Sequence, residues 1–462
     1  MAAEPPQLLP ARMQMAFTLG IHIILVPLGV AFPFIILIAN YRGIRKGDEV
    51  ALLLAQRWSK VAAVFFAVGV VTGTVLSFEM GLLWPGLMKN FGAAFGIPFM
   101  VEGVFFFLEA IFLAIYIYGW NRMSPWVHFW TGIPIVISGI GGTLAIVSAN
   151  AWMNQPGGFT LKNGSVVDVV PLEVIFNNAF WYQGLHMLLA TYLVAGFMVA
   201  SVYAVAMLRG RRDRYHRLGL LIPLTVAAIV MPLQFIVGDS TARSVYKDQP
   251  IKFAAMELVP KTSSNVPETI GGIWIDGEIR YGIPIPGLAS LLSGFSTDTV
   301  ITGFESVPAK DRPPVNVVHL AWDAMIGLGT FLLAIAAWFG FVWWRRRDIP
   351  KTKWFLRTIA VSGVAAVACM EAGWILTETG RQPWVVYKVL RTTDAVTNAD
   401  GIWASFAIVI VIYAAVIAAA VYVIRHMTRR WRSADTDEPN VPYGPPPTDI
   451  DLSRSSAGNQ ND

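Results

Sequence analysis

The amino-acid sequence predicts an all-α membrane protein of about nine transmembrane helices, with the N-terminus outside and the C-terminus in the cytoplasm. Three observations carry this. The 462 residues are 55% hydrophobic and only 14% charged, where soluble domains carry roughly a quarter charged residues. Nine apolar stretches are long enough to cross a bilayer, which takes about 20 residues each. Arginine and lysine gather in alternate connections between those stretches.

The stretches run at 13–40, 58–82, 98–119, 127–152, 178–208, 218–240, 316–345, 354–378 and 402–427. The first is too long for the apolar region of a signal peptide and is read as a membrane helix. Arg42, Arg45, Lys46 and Arg57 fill the connection after the first helix. Arg209, Arg211, Arg212, Arg214 and Arg217 fill that after the fifth. Arg345, Arg346, Arg347, Lys351 and Lys353 follow the seventh, and Arg425, Arg429, Arg430 and Arg432 the ninth. Placing all four in the cytoplasm satisfies the positive-inside rule and requires an odd number of crossings.

This distribution also explains the formal charge of +5 without a nucleic-acid partner, because the basic residues sit in short loops. Seventeen tryptophans suit the membrane interface. The single cysteine, Cys369, lies in an apolar run and excludes disulfides, iron–sulfur clusters and a Cys-x-x-Cys-His haem attachment. The organisation expected is a membrane domain over 1–427 and a polar, Pro-rich, disordered cytoplasmic tail over 428–462. Within the domain, 241–315 forms an outer loop too long for a turn, expected to be functional or partly mobile.

Ionisable residues inside membrane helices are costly and mark candidate sites. These are His22 in the first helix, Glu102 and Glu109 in the third, and His186 in the fifth. Asp323 follows in the seventh, with the thioether of Met325, uncharged but able to ligate iron, two residues on, and Glu371 and Glu378 in the eighth. Given the orientation, His22, His186 and Met325 each lie about nine residues from the outer end, roughly 13 Å deep. Glu378 ends a helix running the other way, also near the outer face. Taken singly, a membrane histidine serves helix packing as readily as ligation, and a methionine ordinarily fills a core. A shared layer of two His, a Met and a Glu suits haem iron, for which His and Met form a six-coordinate pair. Glu102 and Glu109, seven apart on one face, suit a proton path. His128, His216, His319 and His426 fall at helix ends or in loops and are given no role.

Several short motifs then carry a family resemblance. They are GRQPW at Gly380–Trp384, EAGW at Glu371–Trp374, His22 followed by Val26 and Pro27, and the Glu102–Glu109 segment. ANAWM at Ala149–Met153, Gly238–Asp239 and KFAAME at Lys252–Glu257 complete the set. In this order, over roughly residues 11–427, the chain resembles subunit I of the cytochrome bd-type quinol oxidases with a short quinol-oxidising loop.

The resemblance implies that His186 and Met325 hold a low-spin haem b. It implies that His22 and Glu378 hold the two haems of the oxygen-reducing pair, a high-spin haem b and a haem d or a further haem b. Arg381 and Trp374 would line that pair, Glu102 and Glu109 would conduct protons to it, and Lys252 and Glu257 would belong to the quinol loop. The implied reaction is oxidation of quinol (menaquinol or ubiquinol) at the outer face, with O2 reduced to water by cytoplasmic protons. It generates proton motive force without pumping. The implied partner is a hydrophobic subunit II, and the implied location a bacterial or archaeal cell membrane, crossed many times.

One departure stands out. Family members often carry Arg two residues before the Met ligand, where this chain has Asp323. A negative charge there favours the oxidised iron and lowers its potential, which suits a low-potential quinol such as menaquinol. Six scattered histidines cannot supply a haem–copper centre, and the paired histidines of a bc-type cytochrome b are absent. The remaining alternative is a colourless proton-coupled transporter using Glu102, Glu109, Glu371 and Glu378.

Overall fold

Nine helices among the described residues of the computed structural model are long and apolar enough to cross a membrane, each on a stretch that hydropathy predicts. The structure describes residues 4–162, 164–434 and 441–443. The first crossing is split into α1 (Leu8–Val30) and α2 (Phe32–Lys46). Pro33 has no N–H to return to Gly29 and its ring crowds that carbonyl, so the expected continuous helix breaks at Ala31.

There follow α3 (Glu49–Leu83), α4 (Pro85–Gly119) and α5 (Pro125–Asn154). A hairpin of β1 (Thr160–Lys162) and β2 (Ser165–Val167) and the short α6 (Pro171–Ile175) lead to α7 (Phe180–Leu208) and α8 (Arg214–Asp248). Asp48 and Asp213 cap α3 and α8, accepting from the amides of Ala51 and His216.

The long connection opens with α9 (Pro250–Met256). Strand β3 (Glu268–Ile270) pairs with β6 (Ile283–Ile285), enclosing the hairpin of β4 (Ile273–Ile275) and β5 (Glu278–Arg280). After α10 (Leu288–Gly294) come α11 (Val315–Arg346) and α12 (Lys353–Thr379). A hairpin of β7 (Trp384–Val386) and β8 (Leu390–Arg391), then α13 (Thr392–Ala395) and α14 (Ile402–Ala434), complete the chain.

Two ends are distinguished by charge. Asp48 pairs with Arg42 at 2.8 Å and Arg214 at 2.7 Å, and Arg217 pairs with Asp348. The basic connections α2–α3, α7–α8 and α11–α12 therefore meet at one end. At the other end Gln249 of the long connection donates to Asn154, which closes α5, at 2.9 Å, and Arg391 pairs with Asp311. This is the alternation that the charge pattern requires.

Helices α7, α8, α11 and α12 pack on one another around Phe197, Leu220, Leu224 and Phe355. A Cβ on Gly196 of α7 would lie 2.8 Å from the carbonyl oxygen of Pro223 in α8. Such close backbone approach is how helices associate where lipid provides no hydrophobic drive.

Two expected boundaries need correction. The segment 241–248 continues α8 rather than opening the loop; its sequence TARSVYKD is too polar for a hydropathy criterion but helical all the same. The rest of the loop is folded, with Phe253, Ile301 and Phe304 buried against Val318 of α11. The tail also starts later than expected. Residues 428–434 extend α14, with Arg57 lying 5.5 Å from the Trp431 ring centroid. Val441 is buried, and Tyr443 bonds to His128 and, through its amide, to Asn121 at 2.7 Å. The remainder of the predicted disordered tail lies outside the described residues.

Candidate functional site

A cavity of about 670 Å³ lies among α1, α3, α4, α5 and α12, a volume typical of ligand pockets. His22, Glu102, Glu109, Trp374, Glu378 and Arg381 all line it. Residues scattered through most of the sequence thus meet around one space.

His22 comes from α1, and its orientation is set across the seam with α3. Its Nδ1 lies 2.9 Å from the Thr72 hydroxyl, which itself donates to the Val68 carbonyl at 3.1 Å. That order makes Nδ1 the protonated nitrogen and leaves the Nε2 lone pair free, the usual state of a metal-ligating histidine with an oriented second nitrogen. One and two turns earlier on the same face, Thr18 and Gln14 donate to the buried Glu79 carboxylate at 2.6 and 2.8 Å. The polar ladder Gln14–Thr18–His22, spaced by four, fixes the rotation of α1 against α3.

Glu378, at the end of α12, accepts from both sides: from Arg381 at 2.7 Å on Oε2 and from Asn150 of α5 on Oε1. The chain of bonds continues. Asn154 donates to Asn150 Oδ1 at 3.0 Å, and Lys252 Nζ donates to Asn154 Oδ1 at 2.9 Å. Lys252 also packs against Gly380 of the GRQPW segment, where a Cβ would meet its stem at 2.8 Å. The structure therefore ties Lys252, expected on the quinol loop, to Glu378 through two asparagines. Burial foremost, then Arg381, pushes the Lys252 amine down to about 7, with Glu378 opposing.

His186 and Met325 do not line this cavity. They sit in the neighbouring group of α7, α8, α11 and α12. Gln234 of α8 approaches the His186 ring nitrogens at 3.3 and 3.4 Å. The Met325 carbonyl accepts from Cys369 of α12 at 3.3 Å.

A glycine stands against each of these three candidate ligands. A Cβ on Gly73 would lie 3.1 Å from His22 Cε1, on Gly238 3.3 Å from His186 Cε1, and on Gly373 3.1 Å from Met325 Sδ. Larger residues would crowd the ring or thioether out of its position. Polar groups without partners also converge on the cavity. Among the described residues, Arg381, 3% exposed, has Nε and Nη1 without acceptors, and Arg12 has Nε without one. Arg12 Nη2 donates to Gln382 Oε1 at 2.8 Å. Buried cationic donors lacking acceptors fit a bound group with acidic substituents, so donor set, glycine clearances and free guanidinium edges all fit haem. Glu102 and Glu109 extend the cavity along α4, and neither carboxylate has a hydrogen-bond partner among the described residues.

Glu257 directly follows α9 and is buried, and its Oε2 has no hydrogen-bond partner among the described residues. Burial, and then the nearby Glu268 carboxylate, holds its carboxyl well above the ordinary range. Asp323 is not the isolated charge the sequence suggests. It accepts from the Gly271 amide at 2.6 Å and lies 3.4 Å from Nε2 of His319.

Sequence reasoning gave no site role to Arg12, Thr72, Asn150, Asn154 or His319, although Asn150 falls within the ANAWM motif. The two asparagines carried a signal: a pair spaced by four within an otherwise apolar helix.

The arrangement defines a class: a polytopic membrane protein with imidazole, thioether and carboxylate groups set among its membrane-spanning helices. The family model for cytochrome bd terminal oxidase subunit I matches residues 10–431, and the chain belongs to that family. It is thereby an oxidoreductase subunit of the respiratory chain, and the family implies haem cofactors. A putative cytochrome bd menaquinol oxidase subunit I of Bacillus subtilis is 34% identical over 91% of this chain and 96% of its own length. A cytochrome bd ubiquinol oxidase subunit 1 of the same organism is 27% identical over 85% of this chain and 86% of its own. The solved structure of bd oxidase from Geobacillus thermodenitrificans superposes with a TM-score of 0.86 at 34% identity, covering 92% of this chain and 99% of that one.

Proposed function

We propose that this chain is the haem-carrying subunit of a quinol:oxygen oxidoreductase in a bacterial or archaeal cell membrane. It would oxidise quinol at the outer loop and reduce O2 to water in the cavity among α1, α3, α4, α5 and α12. The observation that carries the reading is the meeting of His22, Glu102, Glu109, Trp374, Glu378 and Arg381 around one cavity. The group supported there is haem, high-spin b together with d or a further b, with His22 and Glu378 as ligands. His186 and Met325 suit a low-spin haem b. Bound haem supplies the electron-carrying and oxygen-binding chemistry.

The residues do the rest. Thr72 holds His22 with Nε2 free. Arg381 and Asn150 aim the Glu378 carboxylate by hydrogen bonding to its two oxygens. Glu102 and Glu109, on one face of α4, hold protons in transit from the basic, cytoplasmic end. Glu257 takes a hydroxyl proton from quinol and releases it outside, so charge separates without a pump. Menaquinol is the favoured quinol, since the relative at 34% identity is named for it. Helices α3, α4 and α14 bury only 17%, 11% and 11% of their most apolar windows, which leaves broad faces for lipid and a hydrophobic subunit II.

The test is oxygen uptake by the purified complex with a short-chain quinol, followed against pH. Protonated Glu257 cannot accept a proton, so the rate falls as pH falls. Because its folded value is raised, that limb lies above the roughly 4.3 of an ordinary glutamate. Glu257→Gln is expected to lower the rate by roughly 100-fold or more and to remove the limb. A complex that takes up no oxygen with any quinol, or a limb that survives Glu257→Gln, would contradict the reading.

A further inference from the structure

His319 is fully buried near the start of α11, and neither of its nitrogens faces solvent or a carboxylate alone. Nδ1 lies 2.6 Å from the carbonyl oxygen of Met256, and Nε2 lies 2.8 Å from that of Gly271. A carbonyl only accepts, so the imidazole meets these contacts as a donor. One turn along the same helix, Asp323 Oδ2 is 3.4 Å from Nε2. That carboxylate also accepts from the Gly271 amide at 2.6 Å.

The peptide units of Gly271 are therefore gripped on both sides, N–H by Asp323 and C=O by His319. Gly271 has φ +64°, a conformation that glycine adopts at no steric cost. One turn earlier the same device recurs. Asn316 accepts from the Trp274 amide at 2.7 Å and donates to the Trp274 carbonyl at 3.0 Å. Asn316, His319 and Asp323 are spaced by three and four, hence lie on one face of α11. That face grips the loop at Gly271 in the β3–β4 connection, at Trp274 within β4, and at a third point, Met256, directly before Glu257.

We propose that the Asn316–His319–Asp323 stripe is a positioning device that fixes the quinol loop, and Glu257 with it, relative to the helix that carries Met325. This rests on the quinol-oxidase reading for what the loop does, but the clamp itself is a matter of hydrogen bonds between α11 and the loop backbone. Asp323 then has a role that arginine at that position could not fill: arginine has no acceptor for the Gly271 amide. The stripe therefore makes His319 and Asp323 one unit, and each predicts the need for the other.

Two readouts test it on the complete, haem-loaded complex. The first is amide hydrogen exchange of the segment 256–275. The second is the quinol KM against kcat, with the dithionite-reduced spectrum as a control for the haems. His319→Leu removes the imidazole's contacts. It is expected to raise exchange at 268–275 and around 256–257, and to raise KM by about tenfold or more, since small misplacements of a binding group cost up to about 100-fold. The haem spectrum should keep its amplitude. Asp323→Asn retains an acceptor for Gly271 and should keep most of the exchange protection, whereas Asp323→Ala should lose it.

If His319→Leu fails to assemble, Asn316→Ala, which frees only Trp274, should give the same exchange pattern at 272–275 in milder form. Unchanged exchange in both His319→Leu and Asp323→Ala would overturn the proposal, as would a KM unaltered in His319→Leu. A wild-type complex that oxidises no quinol would instead overturn the functional reading, and the exchange measurement would still judge the clamp.

Discussion

Replacing His186 by alanine is expected to abolish the low-spin haem signal and quinol oxidation together, leaving the haem signals of the other pocket in place. The separation follows from geometry. His186 and Met325 belong to the group of α7, α8, α11 and α12, whereas the cavity lined by His22 and Glu378 draws on α1, α3, α4 and α5 as well. The imidazole's hydrogen-bond contacts among the described residues are two approaches of the Gln234 amide at 3.3 and 3.4 Å. Such long contacts contribute less than the roughly 1 kcal/mol of a typical hydrogen bond. The protein should fold, and the loss should be one of cofactor and turnover. Measurement is by reduced spectrum and oxygen uptake of the purified variant, and retention of both would refute the ligand assignment.

Glu378→Gln is expected to remove oxygen reduction while sparing the low-spin signal. The amide keeps the shape of the carboxylate and can still accept one hydrogen bond, but the charge facing Arg381 is gone. Arg381 is 3% exposed by side chain and Glu378 30%. Leaving a buried guanidinium without its partner costs roughly 3–5 kcal/mol when both groups are fully buried. The exposure of Glu378 places this case below that range. Turnover should therefore fall to background at a modest stability loss. The Asn150–Asn154–Lys252 chain gives a second readout, because Lys252 loses the nearby negative charge that favours its protonated form. Wild-type turnover in Glu378→Gln, with all haem signals intact, would contradict this role.

The membrane helices were legible because crossing a bilayer imposes a length and an apolar composition that few other structures need. His22, His186 and Glu378 are legible because ionisable groups are rare in such helices, whereas Met325, uncharged, is legible only through the family resemblance. Each remaining part escaped for a physical reason. Helix α8 runs on to Asp248 through polar residues, where helix formation no longer depends on hydropathy. Asn150 and Asn154 are uncharged, so a search for ionisable residues passes over them, although their spacing puts both on one face. Thr72 resembles any helical threonine until α3 is set against His22. His319 lies at a helix end by hydropathy, and its partners are backbone carbonyls of Met256 and Gly271, which no side-chain pattern can announce. Asp323 was visible as a departure, but its consequence was not, because His319 and Gly271 reach it only in the folded chain.

The central claim is that His22, His186, Met325 and Glu378 hold haem. It is tested most directly by the optical spectrum of the purified wild-type complex before and after reduction with dithionite. The account predicts reduced haem bands that include a low-spin b component. A colourless protein, as a proton-coupled transporter built on Glu102, Glu109, Glu371 and Glu378 would be, would contradict it.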